Sequence, residues 1–152
     1  MSKIRVAVVG YGNIGKCAIE ALEAASDMEV VGVVRRAGRE NCPKEIEGYN
    51  VVKNIRELES VDVAILATPT RSVEEYALEC LKLGINTVDS FDIHNQIYAL
   101  RSSLMPLCVA NKSVSVISAG WDPGSDSMIR ALLLALAPKG ITYTNFGPGR
   151  SM

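Results

Sequence analysis

An excess of either charge is missing from this chain of 152 residues. Lysine and arginine total 16 against 17 aspartates and glutamates, a formal net charge of −1 with histidine neutral. A nucleic-acid binder carries a basic excess or a basic stripe, and the chain has neither. Long apolar runs are missing too, since none approaches the roughly 20 residues that cross a bilayer. The segment Met1-Ser2-Lys3-Ile4-Arg5 enters an apolar strand directly, without the apolar stretch and small-residue cleavage site of a signal peptide. Cysteine is sparse: Cys17, Cys42, Cys80 and Cys108 stand far apart with no CxxC pair, and His94 is the one histidine. That distribution argues against a disulfide framework or a zinc site, and for reduced thiols, mostly packed as small apolar groups. With 48% hydrophobic and 22% charged residues the composition excludes disordered and fibrous chains. The expectation is a soluble cytoplasmic globular protein, large enough to bury roughly 68–70% of its unfolded surface.

What is present is an alternation of strand-like and helix-like segments. Ile4–Val9 is a β-branched run of the kind buried on both faces of a sheet. Residues 13–25 carry Ile14, Cys17, Ala18, Ala21, Leu22 and Ala25 at helical spacing. Strands are predicted at 28–34, 49–52, 61–67, 85–88, 113–118 and 141–145, and helices at 72–83, from 93 to about 110, and at 125–137. Strands separated by helices imply a parallel sheet with right-handed crossovers. The predicted architecture is a doubly wound α/β domain of the Rossmann type, with helices on both faces.

Gly10-Tyr11-Gly12-Asn13-Ile14-Gly15 follows the first strand and opens a helix. In the G-x-G-x-x-G pattern the first glycine permits the turn, the second lets backbone approach a pyrophosphate, and the third allows close helix–strand packing. The helix N-terminus then offers unpaired N–H groups to phosphate oxygens. Where an NAD site carries a carboxylate, roughly 20 residues further on, this chain has Arg35-Arg36. Two guanidinium groups suit a ribose 2′-phosphate, so NADP is favoured over NAD. A solvated basic strand end is the other reading. Ligands in open α/β sheets sit beyond the carboxyl ends of strands. That rule brings Ala67-Thr68-Pro69-Thr70, Ser90-Phe91-Asp92 and Ala119-Gly120-Trp121-Asp122-Pro123-Gly124 to the same crevice.

Four segments together resemble one family. Val9–Gly15, Val88-Asp89-Ser90-Phe91-Asp92-Ile93-His94, Ser118–Gly124 and Phe146-Gly147-Pro148-Gly149-Arg150-Ser151 are similar, in order, to meso-diaminopimelate D-dehydrogenases. The glycine loop is common to many oxidoreductases, whereas the Trp-Asp-Pro-Gly and Phe-Gly-Pro-Gly-Arg-Ser segments are far more specific. The resemblance implies an NADP-dependent oxidoreductase of lysine biosynthesis. Such an enzyme reversibly deaminates the D-centre of meso-2,6-diaminopimelate to L-2-amino-6-oxopimelate and ammonia. It also implies a homodimer. Asp92 and Asp122 match substrate-contacting carboxylates. Trp121 falls in the same loop, Phe146 matches an aromatic lining position, and Met152 matches a backbone contact.

The chemistry suits those two carboxylates. Hydride loss requires a neutral amine, so a nearby carboxylate can hold the ammonium, take its proton and later activate water. Asp92 can equally cap a helix, and Asp122 can form an Asx turn before Pro123. His94, in the first turn of a helix, reads as structural or solvated.

The resemblance divides the chain into an NADP-binding domain over 1–124 and, over 125–152, the truncated start of a substrate and dimerisation domain. Nucleotide binding is expected to persist in these 152 residues alone, with turnover lost or weak. Two further readings remain: a noncatalytic NADPH-binding module, and another NADP-dependent reductase such as dihydrodipicolinate reductase.

Overall fold

The computed structural model describes residues 2–140. The strand predicted at 141–145, Phe146 and Met152 lie outside the described residues. In chain order the elements are β1 (Ile4–Val9), α1 (Asn13–Ala24), β2 (Met28–Val34), β3 (Val51–Val52), β4 (Val63–Leu66), α2 (Thr70–Lys82), β5 (Asn86–Asp89), α3 (Ile97–Asn111), β6 (Ser115–Val116) and α4 (Ser125–Leu136). The sheet is parallel throughout, with strand order β3-β2-β1-β4-β5-β6. The order reverses between β1 and β4, the switch point at which open α/β sheets bind ligands.

β1 explains the two-sided core. Successive strand side chains point to opposite faces, and Val6 to Val9 are all buried. Val6 and Val8 join Ile19 and Leu22 of α1, with Val33, Ile46 and Val51. Ala7 and Val9 join the opposite cluster, built on Val73, Ala77, Cys80 and Leu81 of α2 and Leu100 and Leu104 of α3. The doubly wound architecture expected from the alternation is therefore what the chain adopts.

Some limits differ from expectation. The last strand spans two residues instead of six. Among the described residues β6 is an edge strand paired only with β5, and Ser118, at φ 58°, turns the chain out of the strand conformation. α2 begins at Thr70, directly after Pro69, so Thr70 belongs to the helix and not to the preceding loop. Pro69 is pre-set for this place, because its fixed φ and missing N–H cost nothing at a helix start.

On α4, Met128, Leu132, Leu134 and Leu136 are exposed, and none of the four belongs to either core cluster. Among the described residues no helix is long and apolar enough to cross a membrane.

Candidate functional site

A cleft of about 620 Å³ opens at the carboxyl ends of β1, β2 and β4. Its walls are Gly10 to Ile14, Val34 to Ala37, Ala67 to Pro69, Tyr76 and Ser90. The glycine turn is built by close approach. Gly10 sits at φ +98°, and a Cβ there would overlap the carbonyl oxygen of Ala67; one on Gly15 would overlap the carbonyl oxygen of Gly10. Gly12 differs, since among the described residues nothing beyond its chain neighbours lies within 4 Å of a Cβ built on it. Internal packing thus demands the outer two glycines, while the space beside the middle one belongs to the cleft. Gly12 is also the residue before α1, and no side chain caps that helix. Its first-turn N–H groups are left for a partner outside the helix.

The charge at the rim is positive. Arg35 is half-buried, and its Nη1 donates to the carbonyl of Gly38 at 2.9 Å. Arg36 is exposed on the same wall. Lys16 is committed elsewhere: Nζ lies 3.2 Å from Glu45 Oε1, and that carboxylate raises the lysine above its ordinary range. None of the described residues lining the cleft is a carboxylate.

A second constellation lies at the ends of β5 and β6. Thr70 Oγ1 donates to Asp92 Oδ1 at 2.6 Å. Asp92 does not cap a helix: the short helical turn His94–Gln96 starts after Ile93, and neither it nor α3 has a side-chain cap. His94 Nε2 lies 3.6 Å from Asp122 Oδ1, so the loop after β5 and the loop after β6 converge. Gly120 is in a bridge with Gly124, and a Cβ on Gly120 would stand 3.0 Å from Ser90 Cβ. The peptide between Asp122 and Pro123 is cis, and Trp121 is about half exposed, at 46%.

Of the residues expected to serve a ligand, the cleft unites Gly10, Tyr11, Gly12, Asn13, Ile14, Arg35, Arg36, Ala67, Thr68, Pro69 and Ser90. Gly15 supports the turn from beneath. Thr70, Asp92 and the segment Ala119–Gly124 do not line this cleft. The side chain of Phe91 is 5% exposed and packs in the core with α2 and α3, away from this cleft. Tyr76 and Ala37 were not anticipated. Tyr76 stands three residues after the core residue Val73, a spacing that reads as core packing.

Residues 4–88 match the model of an oxidoreductase family with an NAD-binding Rossmann fold. The chain belongs to this oxidoreductase family. Within it, the chain is 65% identical, over its whole length, to the meso-diaminopimelate D-dehydrogenase of Bacteroides fragilis, covering 51% of that protein. It is 31% identical to the enzyme of the same name from Corynebacterium glutamicum, over 99% of this chain and 47% of that protein. Among solved structures, the C. glutamicum diaminopimelate dehydrogenase in complex with diaminopimelate superposes with a TM-score of 0.74 at 29% identity, over 90% of this chain and 42% of that one. An engineered D-amino acid dehydrogenase bound to NADP+ gives 0.74 at 29% identity, over 89% and 42%. The resemblance read from the motifs is borne out. The chain spans about half the length of the curated dehydrogenases it matches.

Proposed function

We propose that this chain is the cofactor-binding part of an NADP-dependent dehydrogenase acting on the D-amino centre of meso-2,6-diaminopimelate. The observation that carries the reading is the 65% identity, across all 152 residues, to a protein of that name. The cleft fits the cofactor on its own terms. Open space beside Gly12 and the uncapped start of α1 suit a pyrophosphate. Arg36, exposed at the end of β2 with no carboxylate beside it on the wall, suits a 2′-phosphate.

In this reading the glycine turn and Arg36 would hold the dinucleotide, which would supply a hydride acceptor for the substrate's α-carbon. The chain's residues do the rest. Asp92 and Asp122 hold the ammonium, remove the proton that must leave before oxidation, and activate the water that releases ammonia. Thr70 fixes the Asp92 carboxylate, and His94 stands beside Asp122. Trp121, in the same loop as Asp122, is assigned to the substrate, with Phe146 and Met152 as further substrate contacts. The products are L-2-amino-6-oxopimelate and ammonia, a step of lysine biosynthesis in the cytoplasm. Residues 125–152 open a substrate and dimerisation domain. The exposed apolar side chains of α4 support a homodimer.

The test is calorimetric titration with NADPH and NADH, followed by an assay of NADP reduction with meso-diaminopimelate. Saturable binding, tighter for NADPH, is expected. NADH binding at least as tightly would overturn the cofactor assignment, and dihydrodipicolinate reduction in place of diaminopimelate oxidation would overturn the substrate.

A further inference from the structure

β5 ends on Asp89, a carboxylate only 3% exposed. Burying a charge is a poor way to stabilise a sheet, so the bonds it makes matter. Oδ1 accepts the N–H of Phe91 at 2.9 Å and the N–H of Ser118 at 3.0 Å. The main-chain carbonyl of Asp89 accepts the N–H of Ala119 at 2.7 Å. Phe91 belongs to the loop that carries Ser90, Asp92 and His94; Ser118 and Ala119 lead into the loop that carries Trp121 and Asp122. The paired register between β5 and β6 runs only from Thr87↔Ser115 to Val88↔Val116. Beyond it, Asp89 takes over from the ladder.

Ser118 adds an independent sign. It holds φ 58°, a left-handed conformation that a serine keeps only where its surroundings impose it. In that conformation its N–H meets the Asp89 carboxylate at 3.0 Å.

We propose that Asp89 is a positioning residue, whose one carboxylate oxygen fixes the loop bearing Asp92 relative to the loop bearing Trp121 and Asp122. This rests on the functional reading above for its consequence, since the two loops are those assigned to the D-amino end of the substrate. Asp89 itself touches neither substrate nor cofactor. A displacement of about 1 Å between reacting groups can cost 100-fold in rate, so the clamp is expected to act on turnover and not on the nucleotide cleft.

The experiment compares the intact protein with its Asp89→Ala and Asp89→Asn variants in three measurements: amide hydrogen exchange, the Kd for NADPH, and kcat/KM for meso-diaminopimelate. Asp89→Ala is expected to speed exchange at Phe91 and Ser118 by about tenfold or more. It should lower kcat/KM on the order of 10- to 100-fold, while the Kd for NADPH moves by less than about threefold. Asp89→Asn, whose amide oxygen can accept the same two N–H groups, should recover most of both losses. A general loss of structure would move the Kd and kcat/KM together, and that result would overturn the proposal. So would unchanged exchange in Asp89→Ala. Should the alanine variant not fold, Asp89→Leu, which keeps the volume and removes both acceptor oxygens, takes its place: faster exchange confined to Phe91 and Ser118 supports the proposal, and no change there refutes it. If the whole enzyme carrying these 152 residues binds NADPH yet leaves meso-diaminopimelate untouched, the functional reading fails, and exchange at the two amides still decides the role of Asp89.

Discussion

Thr70 and Asp92, 22 residues apart, share a 2.6 Å hydrogen bond from the threonine hydroxyl to the carboxylate. It ties the first turn of α2 to the loop after β5. In Thr70→Val the shape is kept and the donor is lost, so Asp92 is freed to rotate. The expected result is a several-fold to tenfold fall in kcat/KM for the D-amino substrate, with the Kd for NADPH unchanged. The bond is exposed, so the stability cost should stay near or below 1 kcal/mol, read by thermal unfolding. A weakened Kd with normal turnover would instead assign Thr70 to the cofactor.

Arg35 and Arg36 should prove unequal. The guanidinium of Arg35 already bonds the carbonyl of Gly38, whereas Arg36 is exposed on the cleft wall. A charge-assisted bond to a phosphate is worth about 1.5–3 kcal/mol, so Arg36→Ala should weaken NADPH about 10- to 100-fold and leave NADH unaffected. The preference should also shrink as salt is raised. Titration of both nucleotides at two ionic strengths checks this.

The glycines separate structure from binding. Gly15→Ala drives a methyl group into the backbone of Gly10, and overpacking of this kind costs about 1–3 kcal/mol. Gly12→Ala meets only open space, so its melting temperature should hold while NADPH affinity falls. Paired unfolding and titration experiments on the two variants distinguish these outcomes.

The carboxyl of Asp89 is raised by burial, against the lowering effect of its bonds from Phe91 and Ser118. A carboxyl whose folded pKa lies above its unfolded value binds more protons in the folded state between the two. Its contribution to stability is therefore present at low pH and lost as pH rises through the folded pKa. Glu40 and Glu45 are lowered and work in the opposite direction. In Asp89→Asn the acid-favoured contribution is gone. The melting temperature of that variant relative to the unaltered protein should fall as pH drops from 7 towards 4. A difference that stays flat with pH would refute the raised carboxyl.

Cys80 is fully buried, and desolvation pushes its thiol up to about 12. Cys17 is exposed on α1. Thiol reagents at neutral pH should modify Cys17 first and reach Cys80 only after unfolding, as peptide mass analysis would report.

How much of this was legible depends on range. The valine run of β1, the glycine turn and Arg35-Arg36 are local signals, and each lies where the pattern put it. The alternative reading of Asp92 as a helix cap gives way to a bond from Thr70, a partner brought in by the sheet and not by sequence neighbourhood. Phe91 sat in a loop motif, yet α2 and α3 cover it. β6 is shorter than its apolar run suggested because an edge strand ends where one neighbour stops pairing with it. Asp89 gave no warning, since a carboxylate closing a strand ordinarily faces water. The convergence of His94 on Asp122 likewise arises from two separate loops.

β1 sends alternate side chains into both hydrophobic clusters and runs straight into Gly10. The two halves of the sandwich are mechanically one body, with the nucleotide cradle as its common endpoint. A dinucleotide seated there would brace both faces simultaneously and shift a single cooperative melt upward in proportion to the logarithm of its concentration, instead of protecting one layer while the other frays.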